Sequence, residues 1–392
     1  MARLPKRFLS TFLIMMIAAG LPGITPYANA EPAKVYTNAY AAALIDVESG
    51  RILYTQRGDE RTKIASLTKI MTAIVAIEQG KLSDIVKVSK QAAGKEGSSI
   101  YLEHNEEMSL HDMLYGLMLR SGNDAATAIA EHVGGSQQGF VHLMNEKAQW
   151  LGLDNTHFMN PHGLDHENHY SSANDLAKLT AYALKNETFR DIVKTKSKKV
   201  TNRDYSWINK NKMLSMYDGA DGVKTGYTTQ ALRCLVSSAT RGGQQLAAVT
   251  LNDRDDWVDH RKLLDWGFEH YPLQTVVKQD QVVSGYPLAV GRTFRYPFAE
   301  GEQAGLRTKL ILADARTSSY ALGERGGLEL YLKETKIGTV PVYETAGQDA
   351  QSQSFRHNNQ QPHKAAWSMN RSIQEKSSFA SSLMKVVKSL LG

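Results

Sequence analysis

The chain has 392 residues, 42% of them hydrophobic, and a formal net charge of +6. This length suggests about two domains, and the composition is sufficient for an ordinary soluble core. The positive charge is concentrated at the two ends, because residues 1–30 and 346–392 are basic and residues 31–345 are close to neutral. A basic nucleic-acid groove in the body of the protein is therefore poorly supported, and we expect no nucleic-acid partner.

The N-terminus has the three parts of a secretory signal peptide. Three basic residues lie within the first seven positions, an apolar run follows at Phe8–Leu21, and Ala28-Asn29-Ala30 forms a small-x-small cleavage site. An uncleaved membrane anchor is the alternative, but the two prolines just before this site favour cleavage. Residues 1–30 are thus predicted to be a signal peptide, and in either case the body of the protein is exported.

Residues 31–273 contain strand-like and helical patterns in a definite order. The predicted elements are a hairpin (40–54), helices (67–77, one capped by Ser109, 124–132 and 172–184), two strands (232–239 and 246–251) and a last helix (257–268). Because strands flank the helices, we expect an antiparallel sheet whose first and last strands come from opposite ends of this domain, with a helical lobe between them.

After residue 273 the pattern of apolar and polar residues changes twice. Residues 274–345 contain alternating apolar residues without helical signals, which predicts a small all-β domain. Residues 346–376 are polar and are predicted to be a linker. Residues 377–392 place apolar side chains on one face with Lys385 and Lys388 between them. This pattern favours an amphipathic helix that attaches peripherally to the outer membrane face, although a helix packed on the protein itself fits the same pattern.

Three short motifs carry the candidate chemistry: Ser66-Leu67-Thr68-Lys69, Ser121-Gly122-Asn123 and Lys224-Thr225-Gly226. A serine hydroxyl is a poor nucleophile until a neighbour takes its proton, and residues three apart share one face of a helix. Ser66 is therefore the predicted nucleophile and Lys69 its general base. Because a free lysine is protonated at neutral pH, we expect burial and the second cation Lys224 to lower the pKa of Lys69. The amides of the first helical turn favour the oxyanion.

The second and third motifs are predicted to bind the substrate and transfer the proton. Ser121 and Asn123 fall in a loop between two helices, where Ser121 can relay the proton to the leaving amine and Asn123 can hold a substrate amide. Lys224 and Thr225 begin the strand-rich segment and can bind a terminal carboxylate. A strand edge can pair with an extended peptide, and Gly226 lets that peptide approach closely.

The three motifs, in this order, resemble those of penicillin-binding proteins. The chain is most similar to the low-molecular-mass members of the D-alanyl-D-alanine carboxypeptidase family, especially the sporulation-associated type. The likeness covers residues 36–345 and is densest in four runs: Ile64–Met71, Leu119–Ala125, Asn160–Leu164 and Asp221–Tyr227.

This resemblance implies an α/β (α+β) fold with a transpeptidase/β-lactamase-like catalytic domain and a small β domain. It also implies a serine carboxypeptidase that removes the terminal D-alanine of peptidoglycan stem peptides during maturation of the cell wall or spore cortex. Further implications are inhibition by β-lactams that acylate Ser66, no cofactor, and often a C-terminal membrane anchor.

Residues 157–169 contain four histidines and two acidic residues, a density that is also compatible with a zinc site. A proline and a glycine interrupt any helix that would align the ligands, and the resemblance implies that Asn160–Leu164 lies near the active site without a metal. We therefore predict no metal ion. His162 is expected to support the substrate-binding site from behind, and His166 and His169 are expected to be solvated.

Two further residues have open assignments. Lys210 lies in a stretch resembling one where relatives place a basic residue facing the substrate carboxylate, and we include it among the substrate-binding residues. A solvated surface lysine is equally compatible with this pattern. Cys234 either lies beside the site or belongs to the core, and as the single cysteine it excludes an intramolecular disulfide.

Three other functions share part of this sequence pattern. A class A β-lactamase needs a deacylating glutamate in a loop between the second and third motifs, and no glutamate there has the required context. A peptidoglycan-binding protein without activity would not require the three intact motifs. Endopeptidase action on cross-links is compatible with the same sequence and stays open.

Overall fold

The structure is a computed structural model that describes residues 32–200 and 203–345. The predicted signal peptide (1–30), polar linker (346–376) and amphipathic helix (377–392) lie outside these residues. In the described part of the chain, no helix is long and apolar enough to cross a membrane.

The described residues form fifteen strands and ten α-helices, numbered here in chain order. The strands are β1 (Ala41–Asp46), β2 (Ile52–Gln56), β3 (Ile85–Lys87), β4 (Glu107–Ser109), β5 (Ser197–Lys199), β6 (Ser206–Ile208), β7 (Ala220–Thr228), β8 (Leu232–Arg241), β9 (Gln244–Leu251), β10 (Leu273–Val277), β11 (Leu288–Val290), β12 (Phe294–Pro297), β13 (Leu306–Leu312), β14 (Glu324–Leu332) and β15 (Thr335–Glu344). The helices are α1 (Lys69–Gln79), α2 (Lys90–Ala93), α3 (Leu110–Tyr115), α4 (Asn123–Gly134), α5 (Gln137–Trp150), α6 (Ala173–Ala183), α7 (Glu187–Lys194), α8 (Met213–Met216), α9 (Asp256–His270) and α10 (Ser318–Ala321).

The main sheet joins the beginning and the end of the predicted catalytic region. Its strand order is β2-β1-β9-β8-β7, and every neighbouring pair is antiparallel. In the register of the sheet, Ala43 lies opposite Val249, and Lys224 lies opposite Val236. The expectation of strands from opposite ends with a helical lobe between them is confirmed. Strand β7 is an edge of this sheet.

Strand β1 explains how the sheet is covered on both faces. All six of its residues are buried, and successive side chains of a strand point to opposite faces. Ala43 and Ile45 belong to the hydrophobic cluster of the helical lobe, whereas Leu44 packs with Leu263 and Leu264 of α9. The sheet therefore lies between two helical layers, and α1 is buried from Lys69 to Ala76.

Several helices of the lobe begin at side-chain caps, although α1 and α4 do not. Ser109 accepts a hydrogen bond from the amide of Asp112 at the start of α3, as predicted, and Ser136 and Ser172 do the same for α5 and α6. The sequence pattern does not predict α5, because Phe140, Met144 and Ala148 are its only buried residues. The amphipathic helix α7 is likewise not predicted.

The C-terminal strands form two further antiparallel sheets, ordered β10-β12 and β11-β15-β14-β13. Their alternating apolar residues are buried, including Leu328, Leu330 and Val340. Arg51 from the first hairpin reaches this region, and both of its terminal nitrogens lie 2.7 Å from the Glu302 carboxylate. The predicted domain boundary after residue 273 stays a prediction, and the separate hydrophobic clusters of this region favour it.

Candidate active site

Ser66 lies in a short turn that leads into a largely buried helix of the lobe. Ala65–Thr68 is a 3-10 helix, and α1 begins only at Lys69. The α-helix thus begins three residues after Ser66, whereas the sequence predicts that Ser66 opens it. Because residues three apart also share a face in a 3-10 helix, the expected meeting of Ser66 with Lys69 is retained. Ala65 has a φ of +47°, a backbone conformation that is uncommon outside glycine.

The Lys69 side chain ends among three oxygen atoms. Its Nζ lies 3.0 Å from Ser66 Oγ, 2.7 Å from Asn123 Oδ1 and 2.6 Å from the backbone oxygen of His162. Lys69 is fully buried. Burial lowers the pKa of Lys69 well below its ordinary value, and the charges of Lys224 and Lys210 lower this pKa further.

The orientation of the Asn123 side chain follows from its second contact. Asn123 Nδ2 donates to the backbone oxygen of Glu96 at 2.8 Å, so Oδ1 is the atom that faces Lys69. Asn123 is the first residue of α4 and is almost entirely buried. It was predicted to lie in a loop and to hold a substrate amide. The loop placement is wrong, because the connection ends at Gly122 and Asn123 opens α4. The oxygen of Asn123 lies on the candidate base, and its role in holding a substrate amide stays a prediction.

Ser121 occupies the position between that π-helical turn and α4. Its φ of +66° is left-handed, and its side chain is 4% exposed. It lines the same cleft as Ser66. The structure therefore brings together the serines of the first two motifs, as the sequence predicts.

The third motif lies inside β7, the first strand of the strand-rich segment β7–β9, as the sequence predicts. Lys224 is 1% exposed and donates to the backbone oxygen of Thr225 at 2.7 Å. Burial and the nearby Lys210 lower the pKa of Lys224 to about 7. Thr225 and Gly226 line the cleft beside Ser66.

Gly226 lies close to the turn that carries the nucleophile, and its role in admitting a peptide stays a prediction. A Cβ atom on Gly226 would lie 3.2 Å from the amide nitrogen of Ser66 and 3.3 Å from the Cβ atom of Ala65. The absent side chain thus makes room for the nucleophile's own turn. Strand β7 consequently passes directly beside the Ser66 amide.

His162 lies behind Lys69, as expected, but its backbone oxygen and not its ring makes the contact. The ring accepts a hydrogen bond from the amide of Leu164 through Nδ1. Burial and the nearby Lys69 lower the pKa of His162 to about 2, so the ring is neutral. Within residues 32–200 and 203–345, no three histidine, cysteine or acidic side chains are grouped to hold a metal ion.

His169 contradicts its prediction as a solvated loop residue. Its side chain is 2% exposed, and Nε2 lies 2.8 Å from Thr68 Oγ1. The segment folds back onto the residues around the nucleophile, and Thr62 and Ser171 exchange backbone hydrogen bonds there. His166 is exposed, as expected.

The candidate site opens into a cleft of about 350 Å³. Its lining residues are Ser66, Ser98, Ser121, Lys210, Thr225, Gly226, Tyr227, Arg233, Cys234, Asp256 and Trp257. Lys210 is exposed at the rim, with Nζ 3.3 Å from Ser98 Oγ. Partial desolvation and the charge of Arg120 lower the pKa of Lys210.

Cys234 belongs to the core and also lines the cleft, and burial raises the pKa of its thiol to about 12. Two larger cavities, of about 600 and 580 Å³, contain none of the motif residues.

The sequence pattern does not single out Asp124, a buried carboxylate beside this cleft. Asp124 is fully buried and accepts hydrogen bonds from Ser99 Oγ at 2.6 Å and from the amides of Ile100 and Leu102. It thereby attaches the segment after Ser98 to the start of α4. Its only sequence signal is its position directly after Asn123 in the second motif.

The fold and these contacts together define a class of enzyme. An antiparallel sheet with a helical lobe presents a serine next to a buried lysine, and a lysine-bearing edge strand closes the other side. This is the arrangement of an active-site serine acyl-transfer enzyme of the transpeptidase-like type.

Comparisons with known proteins give the family. Residues 27–255 match the family model described as D-alanyl-D-alanine carboxypeptidase. The chain is 37% identical to D-alanyl-D-alanine carboxypeptidase DacF of Bacillus subtilis over 319 residues, which cover 78% of this chain and 82% of that protein. It is 38% identical to DacC of Escherichia coli over 318 residues, covering 77% and 79%. The chain therefore belongs to the D-alanyl-D-alanine carboxypeptidase family, and it is a serine-type carboxypeptidase.

Solved structures show the same fold over different lengths. Penicillin-binding protein 5 of Haemophilus influenzae aligns with 80% of this chain and 98% of its own, with a TM-score of 0.66 and 29% identity. The Streptomyces K15 DD-transpeptidase aligns with 60% of this chain and 99% of its own, with a TM-score of 0.58 and 35% identity. The transpeptidase-like fold class is thereby confirmed.

Proposed function

We propose that this enzyme removes the terminal D-alanine of peptidoglycan stem peptides through an acyl-enzyme on Ser66. The observation that carries the proposal is the surrounding of Lys69 Nζ. Asn123 Oδ1 and the His162 backbone oxygen can only accept hydrogen bonds, and they match the two N–H groups of a neutral amine. Lys69 Nζ lies 3.0 Å from Ser66 Oγ, so the lone pair of a neutral amine is free to accept a hydrogen bond from the Ser66 hydroxyl.

Acylation follows from this arrangement. Ser66 Oγ attacks the carbonyl carbon of the penultimate D-alanine while its proton passes to Lys69 Nζ. The developing oxyanion lies near the Ser66 amide and the β7 backbone, which Gly226 brings close together. The peptide C–N bond then breaks, and Ser121 relays the proton from Lys69 to the departing D-alanine amine.

Deacylation uses the same groups in the reverse direction. A water molecule attacks the ester carbon, and its proton passes to Lys69. The C–O bond to Ser66 breaks, and the serine oxygen recovers the proton. The products are the shortened peptide acid and the free enzyme, so no cofactor is consumed.

The cleft also contains groups that suit the end of the substrate. Thr225 lines the cleft, Lys224 lies directly before it in β7, and Lys210 lies at the rim. The pKa of Lys224 is about 7, so its neutral and protonated forms are both accessible near neutral pH. A substrate carboxylate bound here would favour the protonated form. As an edge strand, β7 has backbone groups available to pair with an extended peptide.

A β-lactamase is the rival that the structure tests most directly. Such an enzyme needs a carboxylate to activate the deacylating water. Among the described residues, no carboxylate forms a hydrogen bond with Ser66 or Lys69. The segment between the second and third motifs instead contributes the backbone oxygen of His162. We therefore expect the penicilloyl-enzyme to be long-lived, whereas a lactamase would release it rapidly.

The decisive experiment is mass spectrometry after incubation with labelled penicillin, together with an assay for D-alanine release. The label is expected on Ser66, and Ser66→Ala is expected to lose both label and release. Lys69→Arg keeps the charge but does not deprotonate, so it should lose acylation almost as fully as Lys69→Ala. Labelling of Ser66→Ala at an unchanged level would falsify the assignment.

We further propose export through residues 1–30 and peripheral membrane attachment through residues 377–392, which places the enzyme at the cell wall. This proposal is supported by the charge and hydropathy pattern of the two ends. A finer assignment to the spore cortex stays a prediction from sequence resemblance.

A further inference from the structure

The backbone immediately before the nucleophile adopts a conformation that needs support. Ala65 has a φ of +47° and is 1% exposed. Residues other than glycine rarely adopt a positive φ, and this backbone conformation persists only where the surrounding structure holds it in place. Because Ser66 follows directly, the groups that hold Ala65 also set the direction of Ser66 Oγ.

Thr68 provides one of these supports. Its hydroxyl donates to the backbone oxygen of Ala65 at 2.9 Å. That hydroxyl has a single proton, so His169 Nε2, which lies 2.8 Å from the same oxygen, must be the donor in their contact. A chain of two hydrogen bonds therefore runs from His169 through Thr68 to Ala65.

The far side of the His169 ring fixes the same tautomer. Nδ1 accepts a hydrogen bond from the amide of Met159 at 3.1 Å, so Nδ1 carries no proton. The ring packs edge-on against Phe158, with centroids 5.7 Å apart. Burial lowers the pKa of His169 to about 3, and the nearby Lys63 contributes to this decrease. His169 thus remains neutral, with one donor and one acceptor in fixed directions.

The histidine belongs to a segment that is packed tightly on the nucleophile's turn. A Cβ atom on Gly163 would come within 1.9 Å of the Ala65 backbone oxygen. Thr72 Oγ1 donates to the backbone oxygen of Pro161 at 2.6 Å. The Ala65 carbonyl is consequently enclosed by Gly163 on one side and by the Thr68 hydroxyl on another.

We propose that His169 is a positioning residue for acylation, because through Thr68 it holds the left-handed turn at Ala65 that directs Ser66 Oγ toward Lys69. The inference rests on the proposed role of Ser66 as nucleophile. It assigns His169 no contact with substrate. Loss of His169 should therefore slow the chemical step and leave non-covalent binding of the β-lactam unchanged.

The test measures the rate constant of Ser66 acylation and the dissociation constant of the non-covalent complex separately, by stopped-flow with a labelled penicillin. His169→Leu should lower the rate constant about ten- to a hundred-fold, the scale expected for a misplaced reacting atom. His169→Gln should restore most of the rate, because its amide nitrogen donates and its amide oxygen accepts. Thr68→Val should match His169→Leu, and the double variant should lose no more than either single one.

His260 offers a matched control elsewhere in the fold. It is fully buried, its pKa is also lowered to about 3, and its two ring nitrogens contact Ser237 and Thr250. His260→Leu should lower the melting temperature and leave the acylation rate constant of the folded protein unchanged.

Three results would overturn the positioning role. They are wild-type acylation by His169→Leu, no recovery in His169→Gln, and an equal loss of acylation in His260→Leu. Absence of label on Ser66 in the unmodified protein would instead contradict the proposed function.

Discussion

Asn123 Oδ1 lies 2.7 Å from Lys69 Nζ, and the opposite end of the same amide is held by the backbone oxygen of Glu96. The amide therefore presents an acceptor of fixed direction to the candidate base. A neutral acceptor stabilises an N–H of Lys69 without adding a negative charge that would keep the lysine protonated. Asn123 thus supports the base in its neutral form.

Asn123→Asp should place a carboxylate against Lys69 and raise its pKa. The neutral fraction of Lys69 at a given pH would fall, so the acid limb of the acylation rate should move to higher pH. The second-order rate constant of penicillin acylation, measured from pH 5 to 10, reports this shift. Asn145→Asp is a suitable control, because Asn145 bridges backbone groups of Val141 and Phe158 away from Lys69. An acid limb at the same pH in Asn123→Asp would contradict the assignment.

Removing the charge of Lys224 should also raise the pKa of Lys69. After burial, Lys224 is the largest cause of the lowered pKa of Lys69, and Lys210 comes next. Since the neutral amine is the active form, the acylation rate rises with pH through the pKa of Lys69. Lys224→Gln should therefore move the acid limb to higher pH, and Lys210→Gln should move it less. The measured quantity is the pH at which the acid limb of the acylation rate lies, because both variants also lower the maximal rate. A larger shift in Lys210→Gln than in Lys224→Gln would refute this order.

The substrate's terminal carboxylate should be required for rapid cleavage. A peptide ending in D-Ala-D-Ala amide loses a charge-assisted hydrogen bond worth about 1.5–3 kcal/mol, so kcat/KM should fall roughly ten- to a hundred-fold. In Lys210→Gln the difference between acid and amide should shrink, which separates binding of this carboxylate from general damage. Equal rates for acid and amide in the unmodified enzyme would instead favour endopeptidase action on cross-linked peptides.

Removal of residues 346–392 should release a soluble enzyme with unchanged turnover on a small peptide, because the three motifs end at Gly226. The apolar face of residues 377–392 accounts for reversible attachment, and Lys385 and Lys388 should make it depend on anionic lipid and on salt. Sedimentation with vesicles of defined composition measures both effects. A truncated protein that still sediments would assign the anchor to the N-terminus. A soluble but inactive one would show that the tail packs on the body of the enzyme.

The parts of the site that the sequence predicts correctly depend on short spacings. Ser66 and Lys69 are three positions apart, and this spacing places two side chains on the same face of either an α-helix or a 3-10 helix. Strands β1 and β9 were predictable because they contain continuous apolar runs, whereas β7 contains none. The Ser109 cap was predictable because it uses a side chain three residues from its partner.

The remaining parts depend on contacts between distant segments. His169 is buried because it meets Thr68, which is 101 residues earlier, and its own neighbours in sequence are polar. His162 acts through a backbone oxygen that any residue possesses, so its residue type carries no signal for that contact. The space beside Gly226 is set by the turn at Ala65, which no periodic pattern describes.

The pairing of β1 with β9 has a consequence for synthesis of the chain. Ala41 lies opposite Leu251 in the sheet, so the central strand pair joins residues that are made more than two hundred positions apart. A growing chain that has reached only the helical lobe therefore has no partner for its first hairpin. Contacts of such sequence separation slow folding and leave apolar strands uncovered for longer. The hairpin's buried residues are thus the stretch most in need of protection from aggregation until Leu251 has emerged.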